Sequence, residues 1–226
     1  MTLYTIRRAS IKPDLDGKWD SPVWQEANVL KIDHFHPRSS DHRPKVQAKV
    51  LYDADGLYLF FKVKDQYVRS VCTNYQDSVC GDSCVEFFVR PRPDHGYLNF
   101  EANCGGTFLL YYVEDARALR RGGFAKFAPV DKAIFDQVKV YHSLPGTVNP
   151  EITEPLEWFL EYFIPFRLFE QVIGEPFSDI SGQTWRANFY KCGDRTSHPH
   201  WATWSPIGPV LNFHLPHYFA PIHFEA

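Results

Sequence analysis

Ser83-Cys84-Val85-Glu86-Phe87-Phe88-Val89-Arg90, followed by Pro91-Arg92-Pro93-Asp94-His95-Gly96 and then Tyr97-Leu98-Asn99-Phe100-Glu101-Ala102-Asn103, decides the fold. Two strand-like runs flank a connection rich in proline, aspartate and glycine, the pattern of an antiparallel hairpin. With Arg90 opposite Tyr97, Phe88 pairs with Asn99, Glu86 with Glu101, and Cys84 with Asn103. Side chains alternate between faces, so Val85, Phe87, Val89, Leu98, Phe100 and Ala102 form an apolar face, which is predicted to be core. Glu86, Asn99, Glu101 and Asn103 share the opposite face. Two directly opposed carboxylates are destabilising unless a cation, a ligand or a retained proton compensates them. Glu86 and Glu101 therefore need a partner, and Arg186 is a candidate cation.

Thr107–Val113 reads as a third strand of the same meander, and the residues from 114 to 133, with Arg117, Arg120, Arg121, Gly122 and Gly123, read as an exposed connection. Upstream, Val46, Ala48 and Val50 alternate with polar residues, and Asp53-Ala54-Asp55-Gly56 leads into Leu57–Val63, a second hairpin. Asp53-Ala54-Asp55-Gly56 is read as a turn, because the remaining ligands of a calcium-binding loop do not follow it. Further strands are expected at Phe135–Tyr141, Trp158–Ile164, Thr184–Lys191 and Phe219–Phe224. A short helix is expected behind Ser21 with Pro22 at its first position, and another beginning at Pro165. The fold class is all-β: a two-sheet antiparallel β-sandwich with one or two short helices, spanning 1–226 as a single domain.

Composition narrows the function classes. Lys+Arg 24 against Asp+Glu 27 leaves a formal charge of −3, which removes a broad electrostatic footprint for nucleic acid. No run approaches the ~20 apolar residues of a membrane span, and the N-terminus MTLYTIRRAS lacks a signal-peptide apolar region. The compartment is left open: secreted or periplasmic if a leader has been trimmed, otherwise cytoplasmic. Cys72, Cys80, Cys84, Cys104 and Cys192 are an odd number in a chain too large to need staples, so free buried thiols are expected; a Cys80–Cys84 pair stays open. No GxSxG, HExxH, P-loop, GxGxxG or CxxC motif is present. His198 and His200, and likewise His34 and His36, lack further ligands at metal-site spacing, so no metal is assigned.

The polar face is suited to a saccharide, whose hydroxyls pair with carboxylates, amides and guanidinium groups while its C–H faces cover flat aromatic rings. Glu86, Asn99, Glu101, Asn103, Arg186 and Asn188 are the hydrogen-bonding candidates. Tyr75, Trp201 and Trp204 are the stacking candidates. No catalytic residue is assigned. A rival reading makes Glu86 and Glu101 the carboxylate pair of a glycoside hydrolase, since retaining enzymes hold such groups ~5–5.5 Å apart.

Several segments together resemble carbohydrate-binding module family 9, in its stand-alone family 9-like form within the DOMON-like β-sandwich superfamily. They are Leu15-Asp16-Gly17-Lys18-Trp19 with Trp24 and Ala27, Asp53-Ala54-Asp55-Gly56-Leu57-Tyr58, Gly81–Val89 followed by Asn99–Asn103, Trp185–Tyr190, and Trp201–Pro206. The resemblance covers nearly the whole chain. It implies non-catalytic binding of a plant-polysaccharide-derived oligosaccharide, such as a xylo- or cello-oligosaccharide, at its end, between paired aromatic side chains. It implies Glu86 among the polar contacts, structural calcium in some members at sites that cannot be placed here, and an attached or associated glycoside hydrolase as partner. One departure stands out: relatives carry a tryptophan platform shortly before the Val-Glu-Phe strand, where this chain has Cys80, and Tyr75 is the substitute from further up the loop. The DOMON-like relationship also raises haem binding, for which Met/His ligation is implausible because Met1 is the sole methionine, leaving bis-His ligation as the open form.

Overall fold

The acid-bearing hairpin forms in the expected register. In the computed structural model, which describes residues 2–119, 123–177 and 179–226, Cys84 pairs with Asn103, Glu86 with Glu101 and Phe88 with Asn99. Its apolar face, from Val85 to Ala102, is buried in the main core.

The described strands are β1 (Tyr4–Arg8), β2 (Val29–Lys31), β3 (His34–Phe35), β4 (Lys45–Tyr52), β5 (Gly56–Asp65), β6 (Val68–Ser70), β7 (Cys84–Arg90) and β8 (Tyr97–Asn103). They continue as β9 (Phe108–Ala118), β10 (Phe124–Pro129), β11 (Lys139–His142), β12 (Val148–Ile152), β13 (Leu156–Pro165), β14 (Thr184–Cys192), β15 (Trp201–Thr203) and β16 (Ala220–Phe224). The first sheet runs β10-β9-β8-β7-β14-β16-β1, with β15 and β3 extending from one end of β14. The second runs β1-β4-β5-β13-β11, with β2 beside β4. Strand β1 belongs to both: Tyr4–Ile6 pair in parallel with β16, and Arg7–Arg8 in parallel with β4. Other pairings in both sheets are antiparallel, so the chain is an all-β sandwich closed along one side by a strand that changes sheets.

The two inner faces interdigitate through aromatic rings. Phe189 on β14 lies 4.8 Å from Phe87 on β7 and 6.2 Å from Phe61 on the opposite sheet, centroid to centroid. Each such fully buried side chain contributes roughly 1.5–3 kcal/mol. On the outer face of the second sheet, Trp19 and Trp24 cover Leu51, Tyr58, Phe60 and Phe163 as a separate apolar cluster. Trp24 lies in helix α1 (Pro22–Gln25), which has Ser21 at its N-cap position and Pro22 at its start, as expected.

Three sequence expectations change. Residues 114–133 are no mere connection: β9 continues to Ala118 and pairs with β10, in a ribbon whose polar residues on both sides hide the usual alternation. Arg120, Arg121 and Gly122 lie outside the described residues. Phe135 ends a short helix, α2 (Lys132–Phe135), because the Asp131 carboxylate accepts the Ala133 N–H and caps it, so the next strand starts only at Lys139. Pro165 is the N-cap residue of α3 (Phe166–Ile173) and not its first turn. Among the described residues, three short helices, α1 to α3, accompany the strands of the sandwich. All five cysteines are free thiols. Asp53-Ala54-Asp55-Gly56 is a turn: Asp53 Oδ1 accepts the N–H groups of Asp55 and Gly56, and Tyr58 donates its hydroxyl to Oδ2.

Candidate functional site

Strands β8, β7 and β14 lie side by side, so Glu101, Glu86 and Tyr190 form a row on the outer face of the first sheet. The segment from Ser205 to Tyr218 folds back over that face. Phe213 stacks on Tyr190 with centroids 4.2 Å apart, and its carbonyl accepts the Tyr190 hydroxyl at 3.0 Å. His214 sits beside it, with the Tyr97 hydroxyl 2.8 Å from Nδ1. On the other side, the turn at Val79–Gly81 brings up Cys80, whose carbonyl accepts the N–H of Asp194. What remains between them is a cavity of about 270 Å³, with Glu86, Glu101 and Cys192 in its floor and Trp201, Phe213 and His214 in its walls.

Both floor carboxyls are buried, Glu86 at 2% and Glu101 at 6% exposure. Glu86 Oε1 lies 3.1 Å from the Cys192 thiol, while Oε2 has no hydrogen-bond partner in the protein. Glu101 Oε1 accepts from Asn99 Nδ2 at 2.7 Å. Burial, reinforced by the neighbouring Glu101, pushes Glu86 well above the usual carboxylate range. Burial likewise lifts Glu101 to about 7, against the lowering effect of the Asn99 hydrogen bond. The pair therefore retains a proton near neutrality and titrates as a unit. His214 Nε2 is 3.9 Å from Glu101 Oε1, but burial holds its ring down to about 4, so it is neutral at pH 7 and supplies no countercharge. At the rim, Asp194 Oδ1 accepts the Trp201 indole N–H at 2.7 Å, which fixes the orientation of that ring.

The other candidates lie elsewhere. Asn99 and Asn103 are fully buried and spend their amides internally: Asn99 on Glu101 and the Tyr111 N–H, Asn103 on the Cys72 carbonyl, Asp82 and the Thr107 N–H. Asn188 clamps both the N–H and the carbonyl of Ser205, holding the returning segment. Arg186 is exposed near the far end of β14, opposite Arg90, and does not neutralise the glutamates. Tyr75 packs on Phe135 at 4.4 Å and donates its hydroxyl to the Val130 carbonyl, its loop pinned by Gln76 to Leu110. Trp204 is core, edge-on to Phe189 at 5.6 Å. Of the nine candidates, Glu86, Glu101 and Trp201 line the cavity; Cys192, Asp194, Phe213 and His214 were not anticipated as lining residues. Phe213 and His214 reach the cavity through the fold-back of residues 205–218, which no local spacing marks, whereas Cys192 lies at the end of β14 two residues beyond Tyr190 on the same face, and Asp194 follows it, its N–H donating to the Cys80 carbonyl.

Among the larger depressions, two of about 600 Å³ and 500 Å³ lie around Arg43, Lys45 and Lys64 on the other sheet. They are cationic, and neither brings together a buried pair of acids. His42, Asp65 and His200 cluster beneath the surface, but Lys191 Nζ already occupies that centre, 2.8 Å from His200 Nε2 and 3.4 Å from Asp65 Oδ2. His198 turns away from it and stacks on Tyr67 at 3.6 Å.

Comparison with known proteins places this architecture. The model of carbohydrate-binding family 9 matches residues 23–224. A protein from Bacteroides uniformis, described as a candidate carbohydrate-binding protein, is similar at 28% identity and TM-score 0.82, covering 99% of both chains. A family 9 module from Caldicellulosiruptor kristjanssonii in complex with cellotriose shares the fold at 13% identity and TM-score 0.65, covering 99% of this chain and 94% of that one. The same organism's family 9 module in complex with glucose matches at 13% identity and TM-score 0.62, over 98% and 95%. Among curated proteins, none matches. With the family model spanning nearly the whole sandwich, the chain belongs to carbohydrate-binding family 9.

Proposed function

We propose that this chain binds, without cleaving it, the end of a plant-polysaccharide-derived oligosaccharide of the xylo- or cello- type in the cavity above Glu86 and Glu101. The observation that carries this reading is the Glu86 carboxyl: buried, partnerless at Oε2, and opposed across the hairpin to a second buried acid, Glu101. Such a pair can both donate to and accept from the vicinal hydroxyls of a sugar ring, and a sugar hydroxyl supplies Glu86 Oε2 with the partner that the protein does not. Trp201, braced by Asp194, offers a flat face for the ring's C–H surface. A cavity of about 270 Å³, walled by Phe213 and His214, suits one terminal ring better than a chain passing through. The neighbouring family 9 structures, in complex with cellotriose and with glucose, support a saccharide ligand. A module of this kind acts beside a glycoside hydrolase, attached or separate, that works on the same polysaccharide. Among the described residues, no helix is long and apolar enough to cross a membrane.

Calorimetric titration with glucose and with xylo- and cello-oligosaccharides tests this. Glu86→Ala is expected to weaken binding by ~0.5–1.5 kcal/mol, the net worth of a hydrogen bond to an uncharged group. Absence of binding by the native protein, or affinity unchanged in Glu86→Ala, removes the assignment. Release of reducing sugar that disappears in Glu101→Gln moves it to hydrolysis.

A further inference from the structure

Cys84 and Cys192 face each other across the β7–β14 pair, and Glu86 stands two residues along β7 from Cys84, hence on the same face. Sγ of Cys84, Sγ of Cys192 and a Glu86 carboxylate oxygen all lie within 4.8 Å of one another. Cys192 and Glu86 also open onto the cavity, which gives an ion a path in. We propose that Cys84, Cys192 and Glu86 form a zinc site in the cavity floor, with its fourth coordination position open toward the cavity.

The donor set decides the metal. Calcium takes six to eight oxygen ligands, and two sulfurs in this position exclude it from the site. Zinc accepts thiolate at ~2.3 Å and carboxylate at ~2.0–2.2 Å in a tetrahedron, which separates neighbouring donor atoms by roughly 3.5–3.8 Å. The present spacing encloses that distance, and the Cys192 Sγ–Glu86 Oε1 approach of 3.1 Å needs to widen only by tenths of an ångström. One observation independent of the cysteines points the same way: Glu86 Oε2, in the cavity floor, is buried without any partner. The site does not depend on the cavity taking a sugar.

The test uses the reduced, metal-free full chain. Titration with zinc in competition with a chromogenic chelator is expected to show one equivalent bound with sub-micromolar affinity. Cobalt(II) in place of zinc is expected to give near-ultraviolet thiolate-to-cobalt charge-transfer bands and the strong visible bands of a tetrahedral ion, a reading on unaltered protein. Cys84→Ser and Cys192→Ser are each expected to weaken zinc binding by more than ~100-fold, beyond the usual loss from removing an outer-shell partner, whereas Cys72→Ser leaves it unchanged. The proposal is overturned by absence of stoichiometric uptake, by a cobalt spectrum without thiolate bands, or by uptake that survives the double Cys84→Ser/Cys192→Ser variant. A Cys84–Cys192 disulfide in protein purified without oxidant also overturns it, in favour of a redox pair. Metal uptake is measured without sugar and saccharide affinity on chelator-treated protein, so either assignment can fail alone.

Discussion

Glu101 holds its proton to a higher pH than an ordinary surface glutamate does. Burial raises its carboxyl to about 7 in the folded chain, against ~4.3 when unfolded, so the folded state binds the extra proton between those values. Its stabilising contribution is complete below about pH 4 and is lost as the pH rises through about 7. Glu101→Gln keeps an acceptor for Asn99 and removes the ionisation. Thermal melts should therefore show the variant more stable than the native chain at pH 8, by on the order of 1–3 kcal/mol, with little difference at pH 4. An equal shift at both pH values would contradict the protonated pair. The same comparison explains why the asparagines beside it were hard to place from the chain alone. An amide on a strand's polar face reads the same whether it meets a ligand or, as Asn99, Asn103 and Asn188 do, a backbone group of the next segment.

Two elements owe their position to single polar anchors. The N-terminal turn is held to β13 by Glu161, whose carboxylate accepts the Trp24 indole N–H at 2.8 Å and the Gly17 N–H at 2.9 Å. Gly17 has a φ of +74°, and a Cβ there would fall 2.3 Å from the Tyr141 ring, which explains glycine within Leu15-Asp16-Gly17-Lys18-Trp19. Trp24→Ala empties a core site and orphans Glu161, so a loss of ~3–5 kcal/mol in urea unfolding is expected. At the opposite side, Lys191 of β14 reaches Asp65 of β5 and ties the two sheets together, with His42 and the Trp158 indole on the same carboxylate. Burial alone would raise the Asp65 carboxyl, yet the Lys191 ammonium and the His42 hydrogen bond hold it far below the usual range. Its contribution is present above about pH 4 and lost as the pH falls below that. Lys191→Met should cost ~3–5 kcal/mol at pH 7 by leaving a buried charge unpaired, and the deficit should shrink on acidification. A deficit independent of pH would deny the ion pair its role.

The sandwich as a whole is closed by β1, which leaves β16 for β4 between Ile6 and Arg7. Deleting residues 1–9 should expose the edges of β16 and β4 and make the chain associate more than the native protein does, read by size-exclusion chromatography with light scattering. Unchanged elution with an unchanged melting temperature would show the strand to be dispensable. The hairpin register, the buried faces of β4, β7 and β8, and the opposition of Glu86 to Glu101 were all legible in the order of residues. Period-two alternation and turn chemistry are local, and a slip by one residue would have turned Phe87 and Phe100 outward. The fold-back of residues 205–218, the arrival of Asp194 and His214 at the acids, the alignment of Cys84 with Cys192, and the retreat of Tyr75 and Trp204 into packed positions depended on three dimensions. Each joins residues far apart in the chain whose encounter is set by packing across the molecule, and no periodicity within a segment records which distant partner will cover it.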